Sequence, residues 1–77
     1  MPAPTLSSPL VALGRNVRAH REKKKLTQEA LGERSSLHTT YISDIERGVR
    51  NPSALILLKL AKGLSINASE LFKGVEA

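Results

Sequence analysis

Apolar positions recur along this chain at three- and four-residue spacing, in short runs broken by turn residues, a rhythm that predicts helices. From Pro9 to Lys24, Leu10, Leu13, Val17 and Arg21 form one stripe, with Ser8 as N-cap and Pro9 at the first helical position. Thr27 caps a shorter helix, "TQEALGERS", whose acids come early and whose Arg34 comes late, as the helix dipole favours. "SSL" turns the chain, and His38 to Arg47 form a third helix that Gly48 closes. Asn51, preceding Pro52, leaves helical geometry, and Ser53 caps a fourth helix, "ALILLKLAKGL". A fifth starts at Asn67, where Glu70 three residues on completes a capping-box pattern. No alternating β-branched run signals a strand. The expected fold class is all-α, with five short helices in residues 9–73. A Pro- and Ser-rich lead-in over 1–8 is expected to be disordered, and 74–77 form a tail.

The third helix sorts into two faces. Advancing about 100° per residue from Ile42, Ile45 falls near 300° and Glu46 near 40°, one shared side. Thr40, Ser43, Asp44 and Arg47 fall between about 100° and 200° on the other. The isoleucines must point into the core, which leaves the outer face polar and rich in hydrogen-bonding groups. Tyr41 lies on the flank.

That sorting separates two nearby acids. Glu46 shares the inward face and needs a partner, because a buried unpaired carboxylate is costly. Arg21 continues the apolar stripe of the first helix, so the expected structural ion pair is Arg21 with Glu46. Asp44 points outward. It either accepts from a base-edge amine or pairs with Arg47 three residues on; the sequence leaves both open.

Composition narrows the partners. The 77 residues carry a net charge of +5, which favours nucleic acid or another anionic surface. There is no cysteine, and two widely separated histidines, His20 and His38, make no metal site. No cofactor is expected. No apolar run approaches the ~20 residues of a membrane helix. No nucleophile–base pair, acid dyad or phosphate-cradling loop points to an enzyme. On the fourth helix, Ala54, Leu57, Leu58, Leu60, Ala61 and Leu64 fill a core arc and leave Leu55 and Ile56 outside it. These two, extended by Leu71, Phe72 and Val75, are the expected apolar surface of a homodimer.

A capped helix, a three-residue turn and a second helix closed by glycine, Thr27 to Gly48, have the length of a helix-turn-helix. With "LTQEAL" opening the second helix, "YISDIERG" closing the third, then "RNPS" and "SELF", the chain from about Leu10 to Phe72 resembles the lambda-repressor-like helix-turn-helix family, also called xenobiotic-response-element regulators. "TYIS" in a chain of this size is similar to controller proteins of restriction–modification systems.

The resemblance implies a compact five-helix fold and a cytoplasmic bacterial regulator of plasmid or phage type. It further implies binding to palindromic double-stranded DNA as a homodimer, with helix 38–47 in the major groove. It implies DNA contacts at Thr27, Gln28, Thr39, Thr40, Ser43 and Asp44, and phosphate contacts at Arg47, Arg50 and Asn51. It also implies a buried pair at Arg21 and Glu46, in agreement with the faces above. Departures from the family pattern are Gly32 for alanine, which should weaken the second helix by about 1 kcal/mol, Ser36 for glycine in the turn, His38 at the cap, and Thr39 where many controllers carry arginine. The alternative function is an antitoxin-like or adaptor module that uses the same fold to bind protein.

Overall fold

The computed structural model describes residues 8–77, which form four α-helices and a terminal 3₁₀ helix. They are α1 (Ser8–Lys23), α2 (Gln28–Ser35), α3 (Thr39–Glu46), α4 (Ala54–Leu64) and the 3₁₀ helix Ala68–Phe72. Apart from Ser8, the lead-in expected over 1–8 lies outside the described residues. Ser8 itself is helical, so the first helix opens one residue earlier than expected. Among the described residues no helix is long and apolar enough to cross a membrane.

Start signals act as the side chains suggest. The Thr27 hydroxyl accepts from Ala30 N and the Ser53 hydroxyl from Ile56 N, each satisfying an amide that the first turn leaves unpaired. His38 caps α3 with its imidazole, Nδ1 accepting from Thr40 N at 3.0 Å. The fifth element differs from expectation. Asn67 caps it by accepting from Ser69 N, while the Glu70 carboxylate lies 3.5 Å from Lys73 Nζ, so no reciprocal capping box forms and one 3₁₀ helix replaces an α-helix.

All four α-helices end in one way. A residue at positive φ follows the last turn, and the next amide reaches back five residues. Lys25, Ser36, Gly48 and Ser65 hold φ of 58°, 58°, 79° and 57°. Leu26, Leu37, Val49 and Ile66 then donate to the carbonyls of Arg21, Gly32, Asp44 and Ala61 at 2.8–3.1 Å. Only one of the four left-handed positions is glycine. Leu26, Leu37 and Ile66, the residues just after three of these turns, pack against the core and help hold the turn.

The core joins α1 to α3, α2 to α3 and α4, and the 3₁₀ helix to α1 and α4. Val17, Leu31, Ile42, Ile45, Leu60, Leu64 and Leu71 are fully buried in it, each worth about 2 kcal/mol of apolar burial. Three sequence expectations for α4 are corrected here. Leu58, placed in the core arc, is 56% exposed, and Ile56, placed outside it, is half-buried and packs on the core. Ala54 is exposed as well. Leu71, assigned to an exposed dimer patch, is fully buried. The 3₁₀ helix folds back over the domain, where Asn16 Nδ2 donates to the carbonyls of Leu71 and Lys73 at 2.8 and 2.9 Å and fixes that return.

Gly14 sets how closely α1 approaches α3. A β-carbon there would overlap the carbonyl oxygens of Ile45 and Glu46, so the missing side chain lets the two backbones meet and fixes the depth of α3.

Candidate nucleic-acid interface

The two faces of α3 are separated as the helical arithmetic requires. Ile42 and Ile45 are 0% and 1% exposed. Thr40 and Arg47 are exposed, while Thr39, Ser43 and Asp44 are half-buried. Tyr41 packs partly against the core from the flank.

Glu46, on the inner face, receives both ends of the Arg21 guanidinium: Nε to Oε2 at 2.6 Å and Nη2 to Oε1 at 3.0 Å. Arg21 Nη1 also donates to the Leu26 carbonyl at 2.9 Å, which ties the end of α1 into the same network. The side chains are 12% and 3% exposed, so the pair is largely removed from water. The hydrogen bonds that Arg21 donates to Glu46 hold its guanidinium above its ordinary range, outweighing the lowering by burial. Gln28, one of the expected DNA contacts, gives one amide N–H to Glu46 Oε1 at 3.0 Å. The first turn of α2 is thereby anchored to the last turn of α3, and the angle between the two helices is fixed from inside.

Asp44, on the outer face, is paired within the chain. Arg47 Nη2 lies 2.5 Å from Oδ1 and Arg50 Nη2 lies 2.9 Å from Oδ2. Arg50 also lies over the Tyr41 ring, 4.6 Å from its centroid, a cation–π contact worth about 0.5–1 kcal/mol at an exposed site. The Arg47 partner was one of two readings open from the sequence; the Arg50 partner was not foreseen. The Arg50 and Arg47 hydrogen bonds hold the Asp44 carboxyl below the ordinary aspartate range.

Thr27 and Asn51 are exposed at the start of α2 and in the loop before α4. With Thr40, Arg47 and Arg50 they are hydroxyl, amide and guanidinium groups carried on and around α3. An array of this kind can hydrogen-bond an oxyanion lattice and polar edges beside it. Among the described residues no set of His, Asp or Glu is arranged to hold a metal ion.

The capped α2, the turn at Ser36 and Leu37, and α3 with its isoleucines inward define a helix-turn-helix. A family model described as helix-turn-helix matches residues 17–71, and the chain belongs to that family. Control protein C.SmaI of Serratia marcescens is 44% identical over 59 residues, which cover 77% of this chain and 70% of that protein. The HTH-type transcriptional regulator Rv0474 of Mycobacterium tuberculosis is 39% identical over 59 residues, and there the chain spans only 42% of the relative's length. Among solved structures, the restriction-modification controller protein C.AhdI of Aeromonas hydrophila superposes with a TM-score of 0.84 at 42% identity, covering 86% of this chain and 100% of that one.

Proposed function

We propose that this protein is a transcriptional regulator that binds a specific double-stranded DNA site, with α3 in the major groove and Thr39, Thr40, Ser43 and Asp44 toward the base edges. The observation that carries this is the division of α3: Ile42 and Ile45 lie inside the fold, while Thr40 and Arg47 are exposed on a basic chain. Thr27, one N–H of Gln28, Arg47, Arg50 and Asn51 would position the helix on the sugar–phosphate backbone, where contacts orient but carry no sequence information. The likeness to control proteins supports a role in setting expression of a restriction–modification operon. A cytoplasmic location follows from a DNA partner. No catalytic role is proposed.

A single short recognition helix reads too few bases for useful specificity, so the binding form is a homodimer on a palindromic operator. Leu55 and Leu58, 63% and 56% exposed and three residues apart on α4, form one apolar strip, and Phe72 is 48% exposed. Of the expected patch Leu55 and Phe72 remain exposed, Leu58 joins them, and Ile56, Leu71 and Val75 are half-buried or buried. Two-fold pairing places half-sites about 34 Å apart.

Selection of bound duplexes from a random pool tests the whole reading. Enrichment of a palindrome with that spacing is expected. A pool that stays random, with no retention on heparin, would instead favour the protein-binding alternative.

A further inference from the structure

Asp44 stands on the outer face of α3, yet both carboxylate oxygens are engaged within the chain. Oδ1 takes Arg47 and Oδ2 takes Arg50, while the Arg50 guanidinium also rests on Tyr41. A carboxylate and a phosphate offer a guanidinium the same kind of charge-assisted acceptor. Asp44 therefore takes one nitrogen, Nη2, of each guanidinium inside the protein, and its charge competes with the phosphates for both cations. A phosphate that draws Arg47 or Arg50 through Nη2 must displace Asp44, and one that uses the other guanidinium nitrogens is weakened by the neighbouring carboxylate. The freed carboxylate then lies unpaired among phosphates unless a donor from the groove replaces the arginines.

We propose that Asp44 is a specificity-determining residue that acts as an internal competitor for phosphate. It holds Arg47 and Arg50 back from the backbone of unspecific duplex and releases them where the groove presents an exocyclic amine, that of cytosine or adenine. The proposal rests on the placement of α3 in the major groove. It differs from simple base reading in where selectivity arises: most of it comes from weakened binding to wrong sequences. The depressed titration of Asp44 is in keeping with a carboxylate already satisfied by two cations, and its side chain is only 18% exposed between them.

The test measures affinity for a mixed-sequence duplex from about 50 to about 200 mM salt. The proteins are the wild type, Asp44→Asn, the charge-matched control Glu76→Gln, and an Arg47→Ala/Arg50→Ala pair with and without Asp44→Asn. Freeing two arginines should steepen the logarithmic salt slope of Asp44→Asn by about 1.8, at about 0.9 per phosphate contact, so that its affinity gains about tenfold on the wild type over that range as salt is lowered. Glu76→Gln should gain far less, and the double-alanine background should remove the Asp44→Asn gain. Asp44→Ser supplies the same release should the asparagine variant fold poorly. A slope equal to that of the wild type or of Glu76→Gln, or a gain that persists without the two arginines, overturns the competitor role. Failure of the wild type and every variant to bind any duplex would instead overturn the placement of α3 on DNA.

Discussion

The Arg21 guanidinium meets the Glu46 carboxylate through two contacts of 2.6 and 3.0 Å, joining the last turn of α1 to the last turn of α3. Because Gln28 and the Leu26 carbonyl share this pair, one buried network sets the position of both helices of the helix-turn-helix.

Removing one partner leaves a buried charge unsatisfied. Arg21→Met and Glu46→Gln are each expected to cost about 3 kcal/mol in urea melts, and Arg21→Met combined with Glu46→Leu should recover much of that loss. Near-wild-type stability in both single variants would show that the pair holds nothing.

The turn between α2 and α3 makes two opposed expectations. Ser36 sits at φ 58°, where a β-carbon is unfavourable, so Ser36→Gly should gain about 1 kcal/mol in thermal melts. Gly32→Ala would gain about 1 kcal/mol on helix propensity alone. A β-carbon at 32, however, stands 2.5 Å from the Leu37 carbonyl oxygen, and overpacking against backbone costs about 1–3 kcal/mol. The expected net effect of Gly32→Ala is therefore loss, reversing the sign that propensity gives. A stabilised Gly32→Ala would mean the turn yields easily.

Asp44 titrates below the ordinary aspartate range, chiefly because of Arg50 and then Arg47. A depressed value in the folded state means the contribution of Asp44 to stability is in place above the unfolded-state value and is lost as pH falls through the folded one. An NMR titration of the Asp44 carboxyl should find a midpoint under about 3.9, rising in both Arg50→Ala and Arg47→Ala. An unmoved midpoint in both would contradict the pairing.

Dimerisation through α4 predicts that Leu55→Glu combined with Leu58→Glu shifts sedimentation toward monomer and weakens binding to the selected palindrome, while leaving the melting temperature nearly unchanged. Both side chains are more than half exposed, so the fold does not depend on burying them. A wild-type chain that is monomeric at micromolar concentration with and without DNA would remove this interface.

The elements that position α3 were legible in the sequence because each has a one-dimensional signal. The period of Ile42 and Ile45 orients the helix, and Arg21 and Glu46 stand out as charges on apolar stripes. Thr27 and Ser53 are caps by residue type. What was not legible depends on three-dimensional return of the chain. Arg50 reaches Asp44 across the left-handed turn at Gly48, beyond the i+3 and i+4 reach of helical arithmetic. Lys25, Ser36 and Ser65 take left-handed geometry without being glycine; the one available signal was the apolar residue that follows each. Leu58 and Leu71 were misplaced for related reasons. A helical wheel gives direction but not how wide an arc the neighbours cover, and Leu71 lies inward on a 3₁₀ helix that Asn16 ties back to α1.

The central claim is that the outer face of α3 is the surface that meets duplex DNA. Amide and side-chain NMR shifts recorded while the selected duplex is titrated in test it most directly. The account predicts that the largest changes fall on Thr39, Thr40, Ser43, Asp44 and Arg47, with Thr27, Gln28, Arg50 and Asn51 next and Ile42 and Ile45 little moved. Changes confined to other surfaces of the domain, or none at modest ionic strength, would contradict it.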